Sequence, residues 1–484
     1  MIVVLSQGCA ANFGDGEKIA RILSQKSEVT FEFPEAKAAH STKAESFSSK
    51  TPANLENAEN STSAANPADF RTEKPEAFYL NVCTVKGNAG AMKLLRKAAS
   101  TFPGVPIYIT GCAPKDFREE ALRAVPHVQF TSLKELEASA ILPTQSAQSP
   151  SSQTSARTPG SNKVSRNVLR ESPFVGIVNI EEGCLDACAF CSTHLVKGRL
   201  HSVAPQTIVD QVQALVDDGC LEIQLTGQDC ACYGFDIGTN LAELTQRILT
   251  HVNGNYRIRL GMGNPRHVLS YQEALLDCFT DDRIYKFIHI PVQSGSENVL
   301  KAMNRRHTAR NYATLAHAFT ERFRKFTLST DLIVGYPGET DADFNDTLKL
   351  LKETRPTVCN ITRFVARPGT VAAHLESTIN SAHLEASNSE RLAPAPLAVP
   401  DDIKHERSAI LAEAFQKIAL ENNREWIGDE CTVVTEKQGY RAGTTIARNE
   451  AYRPVALQGT FPAGQTLRVR ITDAEPFALI AKPL

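Results

Sequence analysis

Apolar residues run along this chain in two rhythms. IVVLS, AFYLNV, PIYIT and VQFTS are short continuous runs that read as buried strands, while GDGEKIARILSQ, NAGAMKLLRKAAS and FREEALRAV carry apolar residues at helical spacing. Their alternation predicts an α/β domain, a parallel sheet with helices on its faces. From Ser172 to about Glu376 the unit repeats, with strands in GIVNIEEG, LEIQLTGQD, RIRLGMGNP, YKFIHIPVQS, TLSTDLIVGYPGE and NITRFVARPGT. The helical patterns between them include TIVDQVQALVDDG, NLAELTQRILTHV and TDADFNDTLKLLKE. The last opens on Thr340 and Asp341, residues suited to capping, with acids in the first turn. Six such units predict a partial (β/α)6 barrel with its chemistry at the carboxyl ends of the strands. A helical segment, about Asp401 to Asn422, leads to a tail in which ECTVVTEK, RPVALQG and TLRVRITDAE alternate with turn residues, the pattern of a small β-barrel.

Three stretches break these rhythms: about Glu35 to Lys74, Pro143 to Ser165, and the surroundings of Ser377 to Pro400. They are poor in periodic apolar faces and read as disordered insertions or linkers. The predicted organisation is an N-terminal domain (1–142, insertion about 35–74), a linker (143–170), a central domain with a helical extension (171–422, insertion about 377–400) and a C-terminal barrel (423–484).

Composition removes some function classes. With 484 residues, 42% hydrophobic, 22% charged and a formal net charge of -2, the chain is an ordinary globular one, and any affinity for nucleic acid rests on a local patch. No apolar run approaches the ~20 residues of a membrane span. The run Ile2 to Leu5 is too short for the core of an export signal and lacks a basic flank, so a cytoplasmic, reducing location is expected. The 12 cysteines then read as ligands or buried thiols, not disulfides.

EEGCLDACAFCSTH sets Cys184, Cys188 and Cys191 in a C-x3-C-x2-C spacing just after the first barrel strand. Thiolates hold iron–sulfur clusters. A structural zinc takes four protein ligands, and no obvious fourth accompanies these three. A zinc or buried-thiol loop stays open as the plainer reading. Cys9 in LSQGCAAN, Cys83 in YLNVCTVKGNAG and Cys112 in YITGCAPKD each follow an apolar run read as a strand. In a parallel sheet such ends share one edge, where ligands collect. Either a second metal site or three small buried thiols accounts for them.

The C-x3-C-x2-C loop resembles that of the radical S-adenosylmethionine (SAM) enzymes. With GC-x2-N, N-x-CTVK and GC ahead of it and a β-rich tail behind, the chain resembles the methylthiotransferase family. CLDACAFCSTHLVKGRLHS, EIQLTGQDCACYGFDIGTNL, RLGMGNP, HIPVQSGSENVLKAMNR, TDLIVGYPGET and ARPGT look most like its archaeal and eukaryotic branch. The resemblance implies a 4Fe-4S cluster on Cys184, Cys188 and Cys191 whose free iron binds SAM, and a second 4Fe-4S cluster on Cys9, Cys83 and Cys112. It implies radical methylthiolation of N6-threonylcarbamoyladenosine at position 37 of tRNA, an RNA-binding TRAM-like tail, and electron and sulfur donors of unknown identity. The alternatives are methylthiolation of a ribosomal protein aspartate, against which the archaeal-type motifs argue, and a non-catalytic Fe–S or zinc RNA-binding protein.

The family pattern also implies roles for single residues. Gly227 and Gln228, between Thr226 and Asp229, would approach the methionine end of SAM; Gly335 and Glu339, flanking Pro337 and Gly338, would help form the adenosine pocket. The second segment equally suits a tight turn capping the next helix; a routine strand-ending turn is the lesser alternative for the first. Lys197 stands where the family usually has arginine, keeping the charge but losing bidentate geometry toward SAM or a phosphate. Cys230 and Cys232 read as buried or idle thiols, as do Cys220, Cys278, Cys359 and Cys431. His289 and Gln293 face either the substrate cavity or barrel filling. Lys301, Arg305, Arg306, Arg310, Arg322, Arg324 and Lys325 form a basic run suited to a tRNA backbone or to a solvated helix face. Arg468 and Arg470 alternate on one tail strand, where they could meet RNA.

Overall fold

The computed structural model describes residues 1–34, 74–83, 88–141, 169–377 and 398–484. The three low-complexity stretches fall almost entirely outside the described residues. Five parallel strands open the fold: β1 (Ile2–Ser6), β2 (Val29–Thr30), β3 (Ala77–Cys83), β4 (Ile107–Cys112) and β5 (Gln129–Phe130), ordered β2-β1-β3-β4-β5. Successive β1 residues feed opposite cores. Val3 joins Phe78, Leu80 and Ile109 under the helices Ala89–Thr101 and Lys115–Ala124. Ile2 and Val4 join Ile19, Ala20 and Leu23 of α1 (Ala10–Leu23). Burial on both faces explains why these strands are continuously apolar. Each buried Leu, Ile or Phe contributes roughly 1.5–3 kcal/mol. The two-residue strand β2 was not legible in the sequence, because the alternating run VTFEF lacks the continuous apolar character of the other strands.

The central barrel is partial. β6 (Val175–Asn179) is followed by a short hairpin of β7 (Glu181–Glu182) and β8 (His201–Ser202), then by β9 (Glu222–Thr226) and β10 (Arg257–Leu260). Strands β6, β9 and β10 form one parallel sheet; β11 (Phe287–His289), β12 (Thr327–Val334) and β13 (Val358–Arg363) form another. The sheets join through the parallel bridge Ile258–Ile284 and the bond from Tyr285 N to Ile258 O (3.0 Å). Residues facing the helices, including Val178, Ile223, Leu225, Ile258, Leu328 and Leu332, make the largest apolar core. The helix Asp341–Thr354 starts as expected: Thr340 is its N-cap, in a reciprocal capping box with Asp343.

A helix, Asp401–Arg424, leads to a closed antiparallel-rich barrel of β14 (Glu430–Gln438), β15 (Thr444–Asn449), β16 (Pro454–Gln458), β17 (Thr466–Glu475) and β18 (Ala478–Pro483). It plugs the amino-terminal end of the central barrel. The Tyr452 hydroxyl donates to the Glu222 carboxylate at 2.9 Å, and its ring packs on Tyr285 and Phe287. Buried Arg453 donates to Thr327 and Thr357, both beside strand starts. With that end sealed, the carboxyl ends of the strands form the mouth. On the far side α1 packs along β6, where Gly14 lies against Ile177 and Asn179 without room for a Cβ.

Candidate active site

Strand register brings the N-terminal thiols together. Cys83 and Cys112 are direct partners on β3 and β4, and Cys9 caps α1 immediately after β1. Gly8 makes this turn at φ 115°, and a Cβ there would overlap the Cys83 side chain. Cys83 contacts both neighbours. That contact, then burial, raises the Cys9 thiol; the same residue lowers the Cys112 thiol, against the effect of its burial. Beneath them Asn12 Nδ2 donates to Gln7 O (2.7 Å) and Asn81 O (2.9 Å), tying α1 to two strand ends.

Cys184, Cys188 and Cys191 lie on one half-exposed loop beyond β6. The loop is tied down on several sides. Gly183 N donates to Gln228 Oε1 (2.6 Å), so Gln228 holds the loop's start. Asp186 N donates to Cys184 Sγ (3.3 Å), and Arg305 Nη1 donates to Cys188 Sγ (3.3 Å). The Asp186 carboxylate accepts from Asn264 Nδ2 and from Arg266 Nη1 (2.7 Å) and lies 3.3 Å from His267 Nε2. Burial opposes its charge, but His267, Arg266 and Arg305 outweigh burial and hold its carboxyl below the ordinary range. Buried Asp229 accepts from Asn264 N (2.9 Å) and Ala231 N (3.2 Å), joining the turns after β9 and β10. Glu181 accepts from Asp229 N (3.0 Å) and lies against Gly227, leaving no room for a Cβ. Its other oxygen is buried without a partner, and burial pushes its carboxyl to about 8.

Lys197, at the end of the short helix Thr193–Lys197, reaches toward the N-terminal thiols. Its Nζ pairs with Asp15 Oδ2 (3.2 Å) and Glu182 Oε1 (3.3 Å), and Asn179 Nδ2 donates to Asp15 Oδ1 (2.8 Å). Burial works against the Lys197 charge, yet Asp15, Cys112 and Glu182 together raise its pKa. Its observed partners are therefore the two carboxylates at the junction of the thiol groups. On the opposite wall Glu339 accepts from Gly335 N (3.0 Å) and Arg407 Nη1 (2.6 Å), so its carboxylate holds a turn in which Gly335 has φ 72°. His289 Nε2 meets Asp331 Oδ1 at 3.0 Å, and Gln293 sits at φ 79° with its amide donating to Asp331 O.

Sequence models match this chain in two places: the radical SAM superfamily over residues 178–351 and the TRAM domain over 424–484. A Xenopus laevis threonylcarbamoyladenosine tRNA methylthiotransferase is 31% identical over 419 residues, 85% of this chain and 71% of that protein. The chain belongs to this methylthiotransferase family. A probable threonylcarbamoyladenosine tRNA methylthiotransferase of Methanothermobacter thermautotrophicus is 34% identical over 313 residues, 65% of this chain and 68% of the relative. Its counterpart from Archaeoglobus fulgidus is 39% identical over 305 residues, 63% of this chain and 66% of the relative. The chain spans slightly less than two thirds of that relative and 61% and 64% of those from Pyrococcus horikoshii and Pyrococcus abyssi.

The cofactors of a methylthiotransferase of this kind are SAM and two 4Fe-4S clusters, and the donor chemistry fits them. Each group offers three thiols, and the group beside β6 has N–H donors aimed at two of its sulfurs. Glycines without room for a Cβ stand beside both groups, at Gly8 and Gly227. The residues that sequence reasoning missed are Glu181, Asp186, Asn264, His267 and Lys197's partner Asp15. Asp186 alone carried a visible signal, a carboxylate inside the cysteine spacing.

The basic run divides. Arg305 turns inward to Cys188 and to Pro291 O (2.7 Å), Arg322 pairs with Asp277 (2.5 Å), and Lys325 pairs with Asp429 over the Trp426 ring. Lys301, Arg306, Arg310 and Arg324 remain exposed. Arg468 and Arg470 share a face, both bonded to Glu430 (2.9 and 2.6 Å). Cys220, Cys278 and Cys431 are buried, and Cys359 is half-buried.

Proposed function

We propose that this protein is a tRNA-modifying enzyme that methylthiolates N6-threonylcarbamoyladenosine at position 37, giving the 2-methylthio derivative. The observation that carries this reading is the junction of the two thiol groups. Each lies at the carboxyl end of a parallel sheet, and Lys197 of one domain pairs with Asp15 of the other between them. Cys184, Cys188 and Cys191 hold the SAM-binding cluster; Cys9, Cys83 and Cys112 hold the second. When bound, these cofactors supply a 5′-deoxyadenosyl radical, the inserted sulfur and, from a second SAM, the methyl group.

The chain's own residues bind and orient. Gln228 and Asp186 fix the cysteine loop from two sides, which holds its thiols at the mouth. Gly227 lets the backbone approach the methionine end of SAM, and Glu339 with Arg407 stiffens the Gly335 turn that borders the adenosine. The barrel 424–484 and the exposed cations Lys301, Arg306, Arg310 and Arg324 supply contacts to the RNA backbone. An electron-donor protein and a sulfur donor complete the partners. No described helix is long and apolar enough to cross a membrane, and the cytoplasm, where tRNA is modified, is the proposed location.

The test is mass spectrometry of tRNA nucleosides from cells with and without the protein. Loss of 2-methylthio-N6-threonylcarbamoyladenosine, with its unmodified precursor accumulating, is expected; an unchanged level refutes the substrate. In the purified enzyme Cys184→Ala abolishes reductive SAM cleavage, while Cys9→Ala preserves cleavage and stops sulfur insertion. A Cys9→Ala enzyme that still forms methylthiolated product at the normal rate refutes the assignment of the second cluster.

A further inference from the structure

The inner wall of the central barrel carries a cation that the fold leaves without a counter-ion. Along β10, Ile258 and Leu260 are buried in the apolar core beneath the helices, so the alternation of a strand turns Arg257 and Arg259 to the interior. Arg259 is paired in register with Gln224 of β9 and is half-buried. Its guanidinium lies over two rings, 5.1 Å from the centroid of Phe287 and 5.3 Å from that of Tyr452, the tyrosine that the C-terminal barrel sets into the floor. This stacking holds the cation while using none of its N–H donors.

Among the described residues the Arg259 side chain forms no ion pair and no hydrogen bond, and its Nε is buried without a partner. Glu222, on the same floor, is engaged elsewhere: its carboxylate accepts from the hydroxyls of Tyr452 (2.9 Å) and Tyr285 (3.3 Å) and from Gln224 Nε2 (2.6 Å). A charge taken into a protein interior is ordinarily paired. The floor thus holds a planar cation in place with its hydrogen-bonding capacity unused, which suits an anion that arrives from outside. The C-terminal barrel closes the amino-terminal end, so such a ligand comes through the mouth. The lumen of a barrel this small admits groups the size of a side chain, not an RNA backbone. A substituent on one extruded base is of that size.

We infer that Arg259 is a specificity-determining residue that binds the carboxylate ending the threonylcarbamoyl group of the substrate. The inference rests on the proposed substrate and names the part of the site that reads it. The threonylcarbamoyl group hangs from N6 of the adenine as a flexible chain, and its end is the only charged group on the modified base. The fixed fork of a guanidinium matches a carboxylate with two parallel N–H···O bonds. An adenine that lacks the substituent would leave Arg259 unpaired, so the same contact that favours the modified base disfavours the plain one. SAM also carries a carboxylate, and the test separates the two.

The test is methylthiolation by the reconstituted holoenzyme of two anticodon stem-loop RNAs, one bearing N6-threonylcarbamoyladenosine and the other its carboxamide, in which the carboxylate is neutralised. Losing a charge-assisted pair raises KM by roughly 10–100-fold, and the wild type is expected to show that rise for the amide with little change in kcat. Arg259→Gln should raise KM for the acid by the same factor and leave that for the amide unchanged, so the preference disappears. Arg259→Lys, which keeps the charge without the fork, should retain part of it. Equilibrium binding of SAM to both variants should match wild type. Equal KM values for acid and amide in the wild type overturn the inference, whether or not a variant folds. A preference that persists in Arg259→Gln also overturns it, and so does a loss of SAM affinity there, which would assign the cation to the cofactor's carboxylate. A wild type that cleaves SAM but methylthiolates neither RNA refutes the proposed substrate, and the inference falls with it.

Discussion

Lys197→Met tests whether the two thiol groups are held together by one ion-pair junction. Methionine keeps the stem and removes the charge. The side chains of Lys197 and Asp15 are each 14% exposed, whereas that of Glu182 is 49% exposed. The Glu182 arm therefore contributes a few tenths of a kcal/mol. Removing one partner of a buried pair costs about 3–5 kcal/mol, reduced here because Asp15 keeps its bond from Asn179. About 2–3 kcal/mol is expected for Lys197→Met and about 1–2 for Asp15→Asn. The double variant should fall short of their sum by about 1–2 kcal/mol, because both substitutions remove the same pair. A chain of several domains does not guarantee two-state unfolding, so the measurement is local: hydrogen exchange of peptides covering α1 and β6. A loss of 2–3 kcal/mol speeds exchange there roughly 30–150-fold if it proceeds through local opening. Strictly additive effects, or unaltered exchange in α1, would show that Lys197 does not couple the domains.

Two further perturbations probe the same region. Glu17 is buried on α1, its Oε1 accepting from Glu171 N at 3.2 Å, and burial pushes its carboxyl from 4.5 to about 7. A raised folded-state carboxyl pKa means the unfolded chain releases the proton first. The folded state is thus penalised as pH rises from about 4.5, with the full penalty above about 7, at most on the order of 3 kcal/mol. Glu17→Gln should therefore stabilise the protein at pH 8 and leave it unchanged near pH 4, read as shifts of the urea midpoint; equal shifts at both pH values would rule this out. Gly8→Ala places a Cβ against Cys83 at φ 115°, a strain of about 1–3 kcal/mol at the turn that presents Cys9. Iron should fall from about eight to about four per chain while SAM cleavage persists, and full iron loading would contradict the turn's assigned role.

Much of the framework was legible because its signals are local and periodic. The runs IVVLS, AFYLNV and PIYIT became strands because helices bury both their faces, and Thr340 became a cap because a side-chain oxygen suits the free N–H groups at a helix start. The thiols were legible as groups by their spacing or their places after strands. What each neighbour does was not. Lys197 stands where the family pattern aims a cation at SAM or a phosphate, and nothing in that pattern names the Asp15 and Glu182 carboxylates with which it pairs. Cys230 and Cys232 are both buried, as expected, but nothing in DCACYG says that the 3-10 turn sets the Cys232 sulfur within 4.8 Å of the Cys184 sulfur.

The remaining gap has a physical cause in the polar groups that join turns. Asn264 illustrates it: within RLGMGNP it is an ordinary residue before proline, yet its amide N–H reaches Asp229 and its side chain reaches Asp186. One short side chain thereby connects the turn after β10 to the turn after β9 and to the cysteine loop. Such a residue has no periodicity to reveal it, since its partners come from other strands and meet only at the barrel mouth. The cysteine spacing supplies the thiols; these single polar residues tie the turns around one group, and Asp15 with Lys197 joins the two domains that carry the two groups.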